Sequence, residues 1–246
     1  MASYVNLPTL PVDYLGPMRW MFDVQGASIE GGRNGIGEAL SIEMAGGGRV
    51  TGEFDFWIGD EEQHEILNWL SARCNGGFRF VNVPIPTDFV GPFTGGVPIV
   101  SGIPHSDDAL FSDGAGYSQA TAFATFAASA ALNAGTVTVN VYGASRNLRW
   151  SDWMSTYHST KGWRAFRYWS ASDPVAVTET VEGVSYTGSQ YELRISPPLR
   201  QAVTAGQRIE IARPRFAAKL PAGFSLKWEV RPGFIATPTV PFVEAF

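Results

Sequence analysis

Val50-Thr51-Gly52-Glu53-Phe54-Asp55-Phe56-Trp57-Ile58 alternates polar and apolar side chains, and the reading of this stretch decides the fold. A period of two places Val50, Phe54, Phe56 and Ile58 on one face, as a half-buried strand requires. At Gly59 the period changes. Asp60 is suited to cap a helix, Glu61 and Glu62 suit its positive end, and Ile66, Leu67, Leu70 and Cys74 fall at helical spacing. The spacing predicts a helix over about 60–73, ended by Asn75-Gly76-Gly77, where glycine can take a left-handed cap.

Working outward, the same two-residue period recurs on both sides. Upstream lie Arg19–Val24 and Ala39–Met44, separated by Gly31-Gly32-Arg33-Asn34-Gly35-Ile36-Gly37. That glycine run lacks the Lys-Ser/Thr ending of a phosphate loop, and its Asn34-Gly35 pair reads as a type I′ hairpin turn. Downstream, Phe78–Val83 alternates and stops at Pro84. Further strands are expected at Thr136–Tyr142, Arg164–Trp169, Val175–Val181, Tyr191–Ile195, Arg208–Ala212 and Phe224–Val230. The Ala-rich run Ser118–Asn133 fits helix or strand. The expected architecture is mainly β: an antiparallel β-sandwich or barrel domain with one helix, plus a second small β domain. The expected divisions are an N-terminal β domain over 1–86, an irregular Ala-rich insert over 87–135, a second β domain over 136–231, and an extended C-terminal arm over 232–246.

Composition narrows the function classes. The chain has 246 residues, of which 45% are hydrophobic and only 17% charged, which excludes a disordered chain. At this mass, surface scaling buries roughly 70% of the unfolded chain's surface, enough for one or two cores. A net charge of −5 gives no electrostatic footprint for nucleic acid. A single cysteine, Cys74, excludes an internal disulfide and a thiolate cluster, and reads as a structural thiol. The N-terminus has no secretion signal and no window is apolar enough to span a bilayer, so no membrane anchor is expected and the chain reads as a soluble protein made in a reducing compartment. Fifteen arginines stand against three lysines, a bias that interface chemistry and codon usage explain equally well.

Chemistry-bearing constellations are sparse. His64, His105 and His158 lack metal spacing; His64 falls on the helix, and His158 falls in a polar loop and is expected to be exposed. The carboxylates Asp107, Asp108 and Asp113 read as turn chemistry rather than a calcium loop. There is no Gly-x-Ser-x-Gly elbow. No catalytic, cofactor or metal residue is therefore assigned, and the protein is expected not to be an enzyme. The notable cluster is aromatic: Trp150, Trp153, Tyr157, Trp163, Phe166, Tyr168 and Trp169, interleaved with Arg149, Arg164 and Arg167. Core packing accounts for most such clusters. Trp150, Trp153, Trp163 and Trp169 are nonetheless the candidate interface or glycan platform. Phe234, Phe242 and Phe246, in a proline-broken run, are the candidate assembly arm.

The second half also carries an ordered set of motifs. Leu148-Arg149-Trp150-Ser151-Asp152-Trp153-Met154, Gly162-Trp163-Arg164-Ala165-Phe166-Arg167, Leu193-Arg194-Ile195-Ser196-Pro197-Pro198-Leu199-Arg200, Gly206–Ile211, Pro214–Leu220 and Val240–Phe246 follow one another. In this order they resemble the distal tail, or minor tail, proteins of long-tailed bacteriophages and gene transfer agents. Ser151 stands where that family usually has glycine, and the stretch 87–135 is a long insert relative to it. The resemblance implies a structural virion protein at the distal end of the tail, made in the bacterial host cytoplasm. It implies a ring, usually of six copies, joining the tail tube protein to baseplate hub or tail-tip proteins, with genome DNA passing through unbound. The aromatic cluster keeps a second reading open, a carbohydrate-binding adhesion module of a tail tip.

Overall fold

The computed structural model describes residues 4–246 apart from 27, 34, 38, 44–46, 76, 90–106, 108, 117–121, 145, 182–183 and 230–234. In chain order the elements are α1 (Val12–Leu15), β1 (Pro17–Gln25), β2 (Ser28–Arg33), β3 (Ala39–Glu43), β4 (Arg49–Phe56), α2 (Glu61–Cys74), β5 (Val81–Pro84), β6 (Phe123–Phe126) and β7 (Thr136–Tyr142). They continue with β8 (Trp153–His158), β9 (Gly162–Ala171), β10 (Val175–Val181), β11 (Val184–Ser196), β12 (Arg208–Glu210), β13 (Arg215–Lys219) and β14 (Thr239–Glu244). The molecule is mainly antiparallel β with one long helix, as the alternation predicts. Among the described residues no helix is long and apolar enough to cross a membrane.

Two units share the strands. The first is a five-stranded sheet in the order β1-β4-β14-β13-β5, covered by α2. Leu67, Leu70 and Cys74, one helical turn or two apart, are fully buried beside Phe54, Phe56, Val81, Val83 and Phe216. Burying each of the two leucines contributes about 1.5–3 kcal/mol. The helix starts as its sequence dictates. The Asp60 carboxylate accepts the Gln63 N–H at 2.8 Å, and the Gln63 side chain accepts the Gly59 N–H at 3.0 Å in return.

The second unit is a closed barrel. Its strands run β11-β7-β6-β12-β8-β9, and β9 returns to pair with β11; β10 continues outward from the free side of β11. Thirteen-residue β11 makes closure possible: its first part pairs β10 and β7, its last part β7 and β9, with a register shift between Arg194 and Ile195. A bulge there bends the strand from one neighbour to the other. Gly188 lies so close to Val141 O that any Cβ would collide with it. The barrel is filled, not hollow: Phe126, Val137, Val139, Met154, Phe166, Leu193 and Ile209 pack inside it.

Among the described residues β2 and β3 pair only with each other, as a hairpin outside both sheets. Its tip includes Ile36, 81% exposed; Asn34, half of the predicted turn pair, lies outside the described residues.

Several expectations need correction. β14, placed in an arm over 232–246, is an inner strand of the first sheet, paired to β4 through Thr239–Val243 and to β13 through Val243 and Glu244. Proline ended the expectation of sheet there, yet Pro241 sits within the strand, opposite Glu53. The domain divisions fail for the same reason: β13 and β14 complete the N-terminal sheet rather than the second β domain, and β6, from the insert, joins the barrel. Pairing over such distances leaves no local signature. Phe224–Lys227 and the residues to 229 form no strand; Leu226 is buried, and Phe224 and Trp228 pack on the first core. His158 ends β8 and is buried, not exposed in a loop.

Candidate functional site at the seam between sheet and barrel

The outer face of the β8–β9 pair lies against the first sheet. Trp153 and Ala165 belong to that sheet's core, and the Phe22 ring meets Trp153 and Phe216 edge-on at 6.4 and 6.3 Å. An ion pair, Arg167 to Asp23, spans the same seam.

At its centre lies Glu244, with no exposed surface. Arg164 from β9 pairs with its Oε1 at 3.2 Å, and Arg200, after β11, with its Oε2 at 3.1 Å. The Val50 N–H donates to the same carboxylate, Arg164 donates to Ala245 O, and Arg200 donates to Gly48 O. The Phe246 ring receives three guanidiniums, Arg200 at 4.6 Å and Arg49 and Arg164 each at 5.4 Å. Burial lowers the pKa of Arg164 while the Glu244 charge opposes the shift. Three of the motif segments, those around Arg164, Arg200 and Glu244, thus meet at one buried ion cluster. Its role is to join sheet and barrel. A fourth motif also has a structural account: the buried Asp152 carboxylate accepts the Arg149 N–H at 2.6 Å and pairs with Arg146, fixing the turn into β8.

The four candidate tryptophans do not form one platform. Trp153 is core. Trp150, 65% exposed, tilts over Tyr168 with centroids 5.2 Å apart, and Trp169, 59% exposed, lies under Arg194. Trp163 lines a cleft. Of the arm residues, Phe242 is buried in the first core, Phe246 is half-exposed under its arginines, and Phe234 lies outside the described residues. Asp107 and Asp113 close turns through the Ala109 and Ala115 N–H groups, whereas Asp108 and His105 lie outside the described residues.

The Trp163 cleft, of about 410 Å³, is the feature that sequence reading missed. One wall is the segment around Tyr4 and Asn6, which crosses β9 at Gly162; the backbone there has φ +67° and leaves no room for a Cβ beneath Tyr4 O. The opposite wall is Trp163 and Tyr157, edge-to-face at 5.5 Å. Arg208 and Arg215 line it too, the latter stacked on Trp163 at 4.6 Å. Burial lowers the pKa of both guanidiniums, and the Glu210 carboxylate opposes the shift. A larger cleft of about 640 Å³, lined by Tyr14, Trp20, Pro86 and Phe89, opens elsewhere along the seam. The aromatic cluster pointed to Tyr157 and Trp163, but Tyr4, Asn82, Arg208 and Arg215 come from segments far apart in sequence and carry no local signal that joins them to it.

Comparison with protein-family models gives no match, and comparison with curated proteins gives none either.

Proposed function

We propose that the chain is a structural virion protein, a distal tail protein that closes into a ring between the tail tube and the baseplate hub or tail tip of a long-tailed phage. The observation that carries this reading is the pair of unfinished β surfaces. The β2–β3 hairpin belongs to neither sheet, and an isolated hairpin is marginal in water. Beside it in the chain, β1 ends the first sheet with Met18, Trp20 and Met21 exposed along it. Long apolar edges of this kind are templates for another chain. A head-to-tail contact between different surfaces closes into a ring when its rotation closes. The motif order supports the same reading, because three of its segments build the Glu244 cluster that holds the two units together.

The test is assembly of the purified chain. Light scattering after size-exclusion chromatography, with negative-stain images, is expected to show a closed ring; a monomer at tens of micromolar overturns the reading. The second reading, glycan adhesion, draws on the exposed indoles of Trp150 and Trp169. Its test is loss of cell-wall polysaccharide binding on Trp150→Ala and Trp169→Ala.

A further inference from the structure

We infer that the cleft between Tyr4, Tyr157, Trp163, Arg208, Arg215 and Asn82 binds a polyol carrying one anionic group, an acidic sugar residue being its best-fitting occupant. This goes beyond the ring reading and does not depend on it. From the glycan reading it takes the nature of the polyol and one of the four candidate tryptophans, Trp163; Trp150 and Trp169 do not line this cleft.

Three properties of the cleft select this ligand. Its size, about 410 Å³, lies in the range of small-ligand sites and suits one or two sugar rings. Its charge is cationic within an acidic chain: two guanidiniums face it, with Glu210 the carboxylate that acts on both. Glu210 Oε1 accepts the Ala212 and Arg213 N–H groups at 3.0 and 3.1 Å. Arg215 is fixed by stacking on Trp163, a planar fork pre-oriented for a carboxylate or phosphate.

The third property is a buried acceptor with no partner. Asn82 is 4% exposed and lines the cleft. Its Nδ2 donates to Leu7 O at 2.9 Å, its backbone N–H donates to Pro8 O, and its carbonyl accepts the Leu10 N–H. Of its polar atoms, Oδ1 alone has no hydrogen-bond partner among the described residues. Leaving a buried acceptor this way is unfavourable, and a ligand hydroxyl donating to it removes the penalty. A hydroxyl for Asn82, an anion for the arginines and an apolar C–H face for the indole and phenol describe an acidic pyranose.

The cleft is tested by titrating the full chain with glucuronate, glycerol 3-phosphate and glucose, followed by calorimetry and by tryptophan fluorescence. Glucuronate is expected to bind at least about tenfold more tightly than glucose, the discrimination of one charge-assisted contact. Tighter binding of glycerol 3-phosphate than of glucuronate also supports the cleft and identifies the anion as a phosphate. Equal binding of glucose, or no binding of either anion, overturns the inference. Arg208→Gln is expected to weaken glucuronate binding at least about tenfold with an unchanged circular dichroism spectrum. Should that variant fail to fold, Tyr157→Ala, at the half-exposed rim, is expected to weaken binding several-fold, and unchanged binding overturns the inference. Binding that survives Trp150→Ala and Trp169→Ala separates this cleft from the platform of the glycan reading.

Discussion

Glu244 has two cationic partners and no exposed surface, so its charge is as necessary to Arg164 and Arg200 as theirs is to it. Glu244→Gln keeps the shape and leaves two guanidiniums without a counter-charge. The expected loss, read from urea unfolding, is about 3–5 kcal/mol. His158 behaves in the opposite way. Burial, with Arg164 nearby, lowers its pKa to about 4, and neither ring nitrogen has a hydrogen-bond partner among the described residues. The unfolded chain, with an ordinary histidine pKa of about 6.5, binds the proton more readily, so stability is complete above pH of about 6.5 and falls as the pH drops toward 4. The loss is at most about 3 kcal/mol, and His158→Phe is expected to flatten that part of the pH profile relative to the wild type. Neither residue was legible in the sequence. A buried glutamate and an exposed one look alike until the strands that surround them are paired.

At the scale of elements, α2 was fully legible, because its cap, charges and apolar spacing are all local. Asp60→Ala removes the bond to the Gln63 N–H and is expected to cost about 1 kcal/mol, measurable as a shift in the urea midpoint. β4 was equally legible from its strict alternation. The opposite case is β14, whose proline broke the local pattern while its partners lay far away in the sequence. Removing residues 239–246 takes an inner strand from the sheet and the carboxylate from the seam together. The truncated chain is expected to lose its cooperative thermal transition by circular dichroism; a retained transition would show that the sheet closes without β14. For the candidate site, the tryptophans were visible as a cluster, but alternation along β8 and β9 sends neighbours to opposite faces. One sequence cluster therefore divides among core, seam and surface.

For the whole molecule, two units meet through a shared core and a shared ion cluster, while the hairpin, among the described residues, pairs only with itself. Replacing residues 28–43 by a short turn is expected to change Tm by less than about 3 °C, equivalent to about 1 kcal/mol at this size. On the ring reading the same change converts the assembly to monomers, seen by light scattering; an intact ring would locate the contact elsewhere. The position of β14 also orders events during synthesis. The ribosome delivers β1, β4 and β5 first, then every strand of the barrel, and only afterwards the strand that belongs between β4 and β13. The barrel, complete by residue 210, can fold while β4 still presents a vacant flank. A nascent chain therefore carries an adhesive edge for most of its translation, and a chain interrupted shortly before β14 keeps it. Such products are suited to aggregation and proteolysis, so the fold itself marks unfinished copies for removal.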